Sequence, residues 1–163
     1  MLSKSEIVDK QIIYRYSHSF VMVVPYIGLF KMLDGSCCMV IQQQTYGFIS
    51  KLKDGLQLTQ VITHDNVEWA HSKTIELDSA VFDKLYNSII ASLSGLIQAN
   101  LSIGLDGDDL AIELKDFGGH KCEVRIWCPD HNEKENNDIK AIYAGFIKVL
   151  EMADLLDWYK TVI

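Results

Sequence analysis

The chain has 163 residues, of which 48% are hydrophobic and 23% charged, a composition that fills one domain core and excludes a wholly disordered chain. Only 2 prolines and 10 glycines punctuate it, which excludes fibrous and low-complexity classes. The net charge is −7, and Arg15 and Arg125 are the only arginines, so there is no clustered basic face for direct nucleic-acid binding.

The elements follow in chain order. Residues 4–15 are expected as a short helix, capped by Ser3 or Ser5, with Ile7, Val8 and Ile12 on one side. Phe20 to Val24 is a dense β-branched run and predicts a strand. Ile27 to Leu33 and Cys37 to Thr45 flank Asp34-Gly35, the pattern of a hairpin. Tyr46 to Leu52 could continue as a strand, Asp54-Gly55 signals a turn, and Leu56 to Ile62 alternates as a further strand. Val67 to Leu77 is the next strand, entered through Asp65-Asn66.

The period then changes. Val81, Phe82, Leu85, Ile89, Leu93, Leu96 and Ile97 recur at three- and four-residue steps, which predicts an amphipathic helix over 79–99 capped by Asp78 or Ser79. A second hairpin follows, with Leu110, Ile112 and Leu114 facing inward from one strand and Cys122, Val124, Ile126 and Cys128 from the other. A loop of Gly118-Gly119-His120 keeps the faces matched and sets Glu113 opposite Arg125 and Lys115 opposite Glu123. The neighbouring in-phase register opposes like charges, so the first is expected. Pro129 ends the strand, and Ile139, Ile142, Tyr143, Phe146, Leu150 and Ala153 predict a final helix over 136–155. The tail at Trp158 and Tyr159 is expected to pack back on the domain. The sum is a single domain spanning 1–163, of class α+β: an antiparallel sheet of about five to seven strands with two long helices packed on one face.

Chemistry is sparse. Four cysteines, two of them adjacent, fit reduced thiols in a cytoplasmic protein rather than a disulfide framework. The start of the chain carries acidic residues and no early apolar run, so neither a secretory signal nor a membrane span is expected. His120, Cys122, Cys128 and His131 are zinc-type residues, but Cys122 and Cys128 lie about 20 Å apart on one extended strand, so no metal site is expected. Asp106-Gly-Asp-Asp109 lacks the alternating oxygens of a calcium loop and is expected as a turn. Cys37-Cys38 puts one thiol inward and one outward; His18, His64 and His71 are the histidines at hand, and an outward Cys38 served by His64 or His71 is the cysteine centre to test, while no pair of carboxylates is singled out for a carboxylate centre. No cofactor motif occurs.

What remains is surface recognition. Acidic residues gather at Asp106, Asp108 and Asp109, at Glu133, Glu135 and Asp138, and at Glu151, Asp154 and Asp157. An outward Trp127 beside them fits an aromatic anchor in an acidic rim. The candidate partner-binding residues are therefore Asp106, Asp108, Asp109, Trp127, Glu133 and Glu135.

The stretch from Leu105 to Asp130, with its Leu-Asp-Gly, its Gly-Gly hairpin and its Arg-x-Trp-x-Pro strand end, is followed by the 136–155 helix. This arrangement resembles small acidic bacterial immunity proteins of toxin delivery systems, including contact-dependent growth inhibition. The resemblance covers about a third of the chain and implies a non-enzymatic inhibitor of a cognate toxin, for example a nuclease, acting by occlusion of its active site. The expected partner is a basic toxin domain, with no direct nucleic acid, no membrane and no cofactor, and the chain is expected as a monomer or homodimer. The alternatives are a small enzyme with a cysteine/histidine centre or a homodimeric structural subunit formed through a sheet edge.

Overall fold

A computed structural model describes residues 7–18, 23–46, 67–98, 108–127, 129 and 136–162. Among the described residues six strands form one antiparallel sheet: β1 (Val8–His18), β2 (Val23–Met32), β3 (Cys37–Tyr46), β4 (Val67–Leu77), β5 (Asp108–Asp116) and β6 (Lys121–Trp127), in the order β4-β3-β2-β1-β5-β6. Among the same residues three helices accompany them: α1 (Ser79–Gln98), α2 (Asn137–Met152) and α3 (Leu156–Val162). The expected α+β class, with an antiparallel sheet and two long helices, is what the chain forms.

The N-terminal region departs from expectation. From Val8 onward the helix expected over 4–15 is replaced by β1, whose polarity alternates with period two from Tyr14 to Ser17; residues 4–6 lie outside the described residues. Ile12, Tyr14 and Tyr16 are buried on one face, while on the other Ile13 is buried and Arg15 and Ser17 are exposed. β-branched and aromatic residues in that alternation favour a pleated, half-buried strand over a helix. The register Tyr14↔Ile27 on one side and Tyr14↔Ile112 on the other makes β1 central. The two strands expected over 20–24 and 27–33 are one strand running from Val23 through Pro25 to Met32, and residues 20–22 lie outside the described residues. The β1–β2 ladder stops at Arg15↔Tyr26, so the missing proline N–H takes nothing from it. The possible strand over 46–52, the turn at 54–55 and the strand over 56–62 lie outside the described residues, apart from Tyr46 at the end of β3.

The β2–β3 hairpin turns where expected. Gly35 has φ +89, and Asp34 accepts hydrogen bonds from the Ser36 backbone N–H and hydroxyl at 2.9 and 2.6 Å. The β5–β6 hairpin corrects the expected register: Glu113 faces Glu123 and Lys115 faces Lys121. The loop is Phe117-Gly118-Gly119, closed by Gly119 N–H to the Asp116 carbonyl at 3.0 Å and Asp116 N–H to the His120 carbonyl at 3.1 Å. Its third position is left-handed, with φ +83 at Gly119. The expected loop would put His120 in that position, at a cost of about 1–2 kcal/mol. That exceeds the few tenths of a kcal/mol carried by each cross-strand charge pair. The carboxylate of Asp116 then accepts from both the backbone N–H and the Nδ1 of His120.

Both long helices lie on one sheet face among the described residues. Asp78 caps α1 by accepting the Ala80 N–H at 2.8 Å, and Asn136 caps α2 by accepting from Asp138 and Ile139. Phe82, Leu85 and Ile89 of α1 and Ile139, Ile142, Phe146 and Leu150 of α2 close over Ile12, Leu29, Met39, Leu110, Ile112 and Ile126. The Phe146 ring stacks on both Tyr14 and Tyr16, at 5.9 and 5.8 Å. Lys31 ties β2 to α1 through both oxygens of Asp83, at 2.8 and 2.7 Å. α2 ends in a Schellman turn: Leu155 N–H reaches the Leu150 carbonyl and Asp154 N–H the Glu151 carbonyl. Asp154 holds the left-handed position there with φ 62. The turn sends α3 back over the core, where Tyr159 is buried, as expected for the tail.

Candidate functional site

Residues that do not face the helices form the second sheet face. Because opposed residues share a face, the register places Gln11, Ile13 and Arg15 of β1 beside Phe30, Gly28 and Tyr26 of β2. The same face continues through Lys115, Glu113, Ala111 and Asp109 of β5 to Lys121, Glu123, Arg125 and Trp127 of β6. Among the described residues no helix covers it. Its centre is apolar. A Cβ on Gly28 would stand 2.6 Å from the Phe30 ring, so the glycine allows that ring to lie flat across the strand, and Ile13 beside it is buried.

The β5–β6 side of this face is a mosaic of ion pairs. Glu113, with 13% of its side chain exposed, accepts Arg15 Nη2 at 2.7 Å and Lys121 Nζ at 2.9 Å. Arg125 donates through Nε to Glu123 at 2.9 Å and holds Asp109 more loosely at 3.5 Å. Of the charges that the expected register would have paired directly across the hairpin, Glu113 is thus paired by β1 and diagonally by Lys121, and Arg125 with Glu123 along the strand. Donation from Arg125 holds the Glu123 carboxyl below its usual range. Burial pushes the Asp109 carboxyl up, against the attraction of Arg125.

The six candidate residues separate clearly. Asp109 and Trp127 are directly opposed, side by side on the helix-free face at one end of the β5–β6 ladder. Asp108 points the other way. It is 6% exposed, and its Oδ2 accepts the Tyr16 hydroxyl at 2.8 Å. Asp106, Glu133 and Glu135 lie outside the described residues. The Arg15–Glu113–Lys121 cluster is not among the expected site residues, because the expected helix includes Arg15; the alternation of residues 14–17 is the signal that could find it.

A second polar group lies on the helix side, near Asp108. Tyr143 and Tyr159 hydroxyls meet at 3.1 Å, and Tyr16 packs edge-on against Tyr159 with ring centres 5.0 Å apart. Burial, then the Tyr143 hydrogen bond, pushes the Tyr159 phenol well up. A carboxylate and tyrosines so enclosed join β1, β5 and the two C-terminal helices.

The cysteine alternative gains nothing from the geometry. Cys37, Cys38 and Cys122 are free thiols, and burial pushes the first two up, away from the thiolate form. Cys38 opposes Glu76 on β4, and His71 opposes Gln43. The five strand positions between Glu76 and His71 span about 16 Å. His64 lies outside the described residues, as do Cys128 and His131 of the zinc-type set. Among the described residues no three His, Cys, Asp or Glu side chains gather to hold a metal ion, and no helix is long and apolar enough to cross a membrane.

Compared with protein-family models, with curated proteins and with solved structures, the chain finds no match.

Proposed function

We propose that the chain is a non-enzymatic acidic binding protein of the cytoplasm, most concretely an immunity protein that neutralises a cognate bacterial toxin by covering its active site. The observation that carries this reading is the juxtaposition of Asp109 and Trp127 on a helix-free sheet face in a chain of net charge −7. An aromatic ring beside a carboxylate, both set on paired strands, is a rigid anchor for a cationic surface. Arg125 holds Asp109 at only 3.5 Å, so a basic side chain from a partner can compete for that carboxylate. The rest of the named face carries more basic than acidic side chains, Arg15, Lys115, Lys121 and Arg125 against Glu113 and Glu123, so the negative field that steers a basic partner comes from the remainder of the molecule. A nuclease cleft is basic because its substrate is anionic, and it suits such a plug.

The test is capture from the native lysate at low salt, followed by titration of the purified partner. One basic partner, bound stoichiometrically, released by salt and inactivated on binding, is the expected result. Trp127→Ala should weaken that binding by about 2 kcal/mol or more, the scale of an interfacial aromatic anchor. Salt-insensitive association, or full binding by Trp127→Ala, overturns the reading.

A further inference from the structure

The two edges of the sheet differ. On β4 the ladder slips between Gln43 and Gln44, a bulge of the kind that turns an edge away from new pairing. β6 has no such irregularity, and among the described residues no strand pairs with its outer side.

The outward backbone groups of β6 can be assigned. Asp116 and His120 form a bonded pair. Bonded and non-bonded pairs alternate along an antiparallel ladder. Cys122, Val124 and Ile126 therefore direct their N–H and C=O groups to β5. Lys121, Glu123, Arg125 and Trp127 direct theirs outward.

We propose that this edge pairs with β6 of a second copy of the chain, antiparallel about a twofold axis at Val124, joining two sheets into one. In that register Glu123 faces the partner's Arg125, and Arg125 faces the partner's Glu123. Lys121 faces the partner's Trp127, an ammonium over an indole. All of these are positions whose backbone groups point outward, so each pair also exchanges two backbone hydrogen bonds. On the helix side Val124 meets the partner's Val124 and Cys122 meets the partner's Ile126, which extends the apolar layer. The adjacent registers fail on charge. An axis at Glu123 opposes Glu123 to the partner's Glu123 and Lys121 to the partner's Arg125; an axis at Arg125 opposes two arginines. The seven residues Lys121–Trp127 are complementary to themselves in one register, which a merely solvated edge does not require. The pairing does not depend on the toxin reading. It would bring two copies of the helix-free face side by side.

Sedimentation and light scattering over a concentration series test this. The expected result is a dimer. Glu123→Arg and Arg125→Glu, each checked for folding by circular dichroism, should each weaken self-association about tenfold or more, because each places like charges opposite one another twice. Mixing the two variants should restore a heterodimer, since arginines on one chain then face glutamates on the other. A chain that stays monomeric throughout, single variants that dimerise like the parent, or a mixture that does not associate overturns the proposal. Amide exchange on the unaltered protein gives a readout free of variant folding. The Lys121, Glu123 and Arg125 amides should gain protection as concentration rises, and concentration-independent exchange refutes the pairing.

Discussion

Tyr14 and Tyr16 lie two residues apart on β1, on the same face, each 1% exposed and each stacked on Phe146. Their hydroxyls have opposite circumstances. Tyr16 donates to the buried Asp108 at 2.8 Å. The Tyr14 hydroxyl is buried without a hydrogen-bond partner. Replacing either by phenylalanine keeps the ring and removes one oxygen, so packing changes little. For Tyr14→Phe the change removes a desolvated, unsatisfied group, and stability should rise by about 1 kcal/mol, the low end of that penalty, since a small void replaces the oxygen. For Tyr16→Phe a buried carboxylate loses a donor, and stability should fall by about 2–3 kcal/mol, the scale for hydrogen bonds to charged groups. Urea unfolding followed by circular dichroism measures both. In a domain of this size the midpoints should separate by about 6–16 °C on heating, at about 2–4 °C per kcal/mol. If Tyr14→Phe destabilises by more than a kcal/mol, or Tyr16→Phe is neutral, the assignment of the two hydroxyls is refuted.

Asp154→Gly should stabilise the chain by about 0.5–1 kcal/mol, since glycine suits the left-handed turn at the end of α2 and the change removes a negative charge from a helix C-terminus; a lower melting temperature would contradict this. Gly28→Ala should cost about 1–2 kcal/mol by driving a methyl into the Phe30 ring, and the loss should shrink when Phe30→Leu is added. Asp116 is held below the ordinary carboxylate range, chiefly by its hydrogen bond with the His120 ring and further by the backbone. Its stabilisation is therefore complete above the unfolded carboxyl pKa and disappears as pH falls through the lower folded value. A carboxyl-carbon NMR titration should show the depressed midpoint, and His120→Ala should move it upward. Cys38 should react with iodoacetamide at pH 7 more slowly than a free thiol, because burial raises its pKa; faster alkylation would revive the cysteine centre.

The sequence made the helix-bearing half of the chain readable. α1 and α2 show unbroken three- and four-residue spacing over four or more turns, with a cap at Asp78 for the first, and no tertiary contact is needed to see them. The β2–β3 hairpin was equally clear, because Asp34-Gly35 supplies both a side-chain acceptor and a left-handed residue. β1 is misread because Ile7, Val8 and Ile12 satisfy helical spacing by chance, whereas Ile12, Tyr14 and Tyr16 are buried beside Leu110, Ile112 and Leu114 and beneath helix residues such as Phe146, all far along the chain. The β5–β6 register was misjudged for a related reason. Charge pairing across the β5–β6 ladder does not decide the register, because Glu113 is satisfied by Arg15 of β1 and the backbone of Gly119 fixes the loop. At the candidate site, the adjacency of Asp109 and Trp127 follows from that register, and the inward turn of Asp108 follows from simple alternation along β5.

The place of β1 has a bearing on how the chain reaches this fold. β2, β3 and β4 form sequential antiparallel pairs, and β5 and β6 form a hairpin, so each group can assemble from neighbours. β1 is synthesised before all of them, yet it is the seam between the two groups, with Arg15 bonded to Glu113 across 98 positions. During synthesis it can zip onto β2 early, and its other edge stays bare until β5 emerges. The closure of that long-range ladder is the slow, late event expected of non-local strand pairing. Until then the nascent sheet ends at β1 rather than at β6, and it is this transient edge, rich in isoleucine and tyrosine, that a chaperone would have to shield.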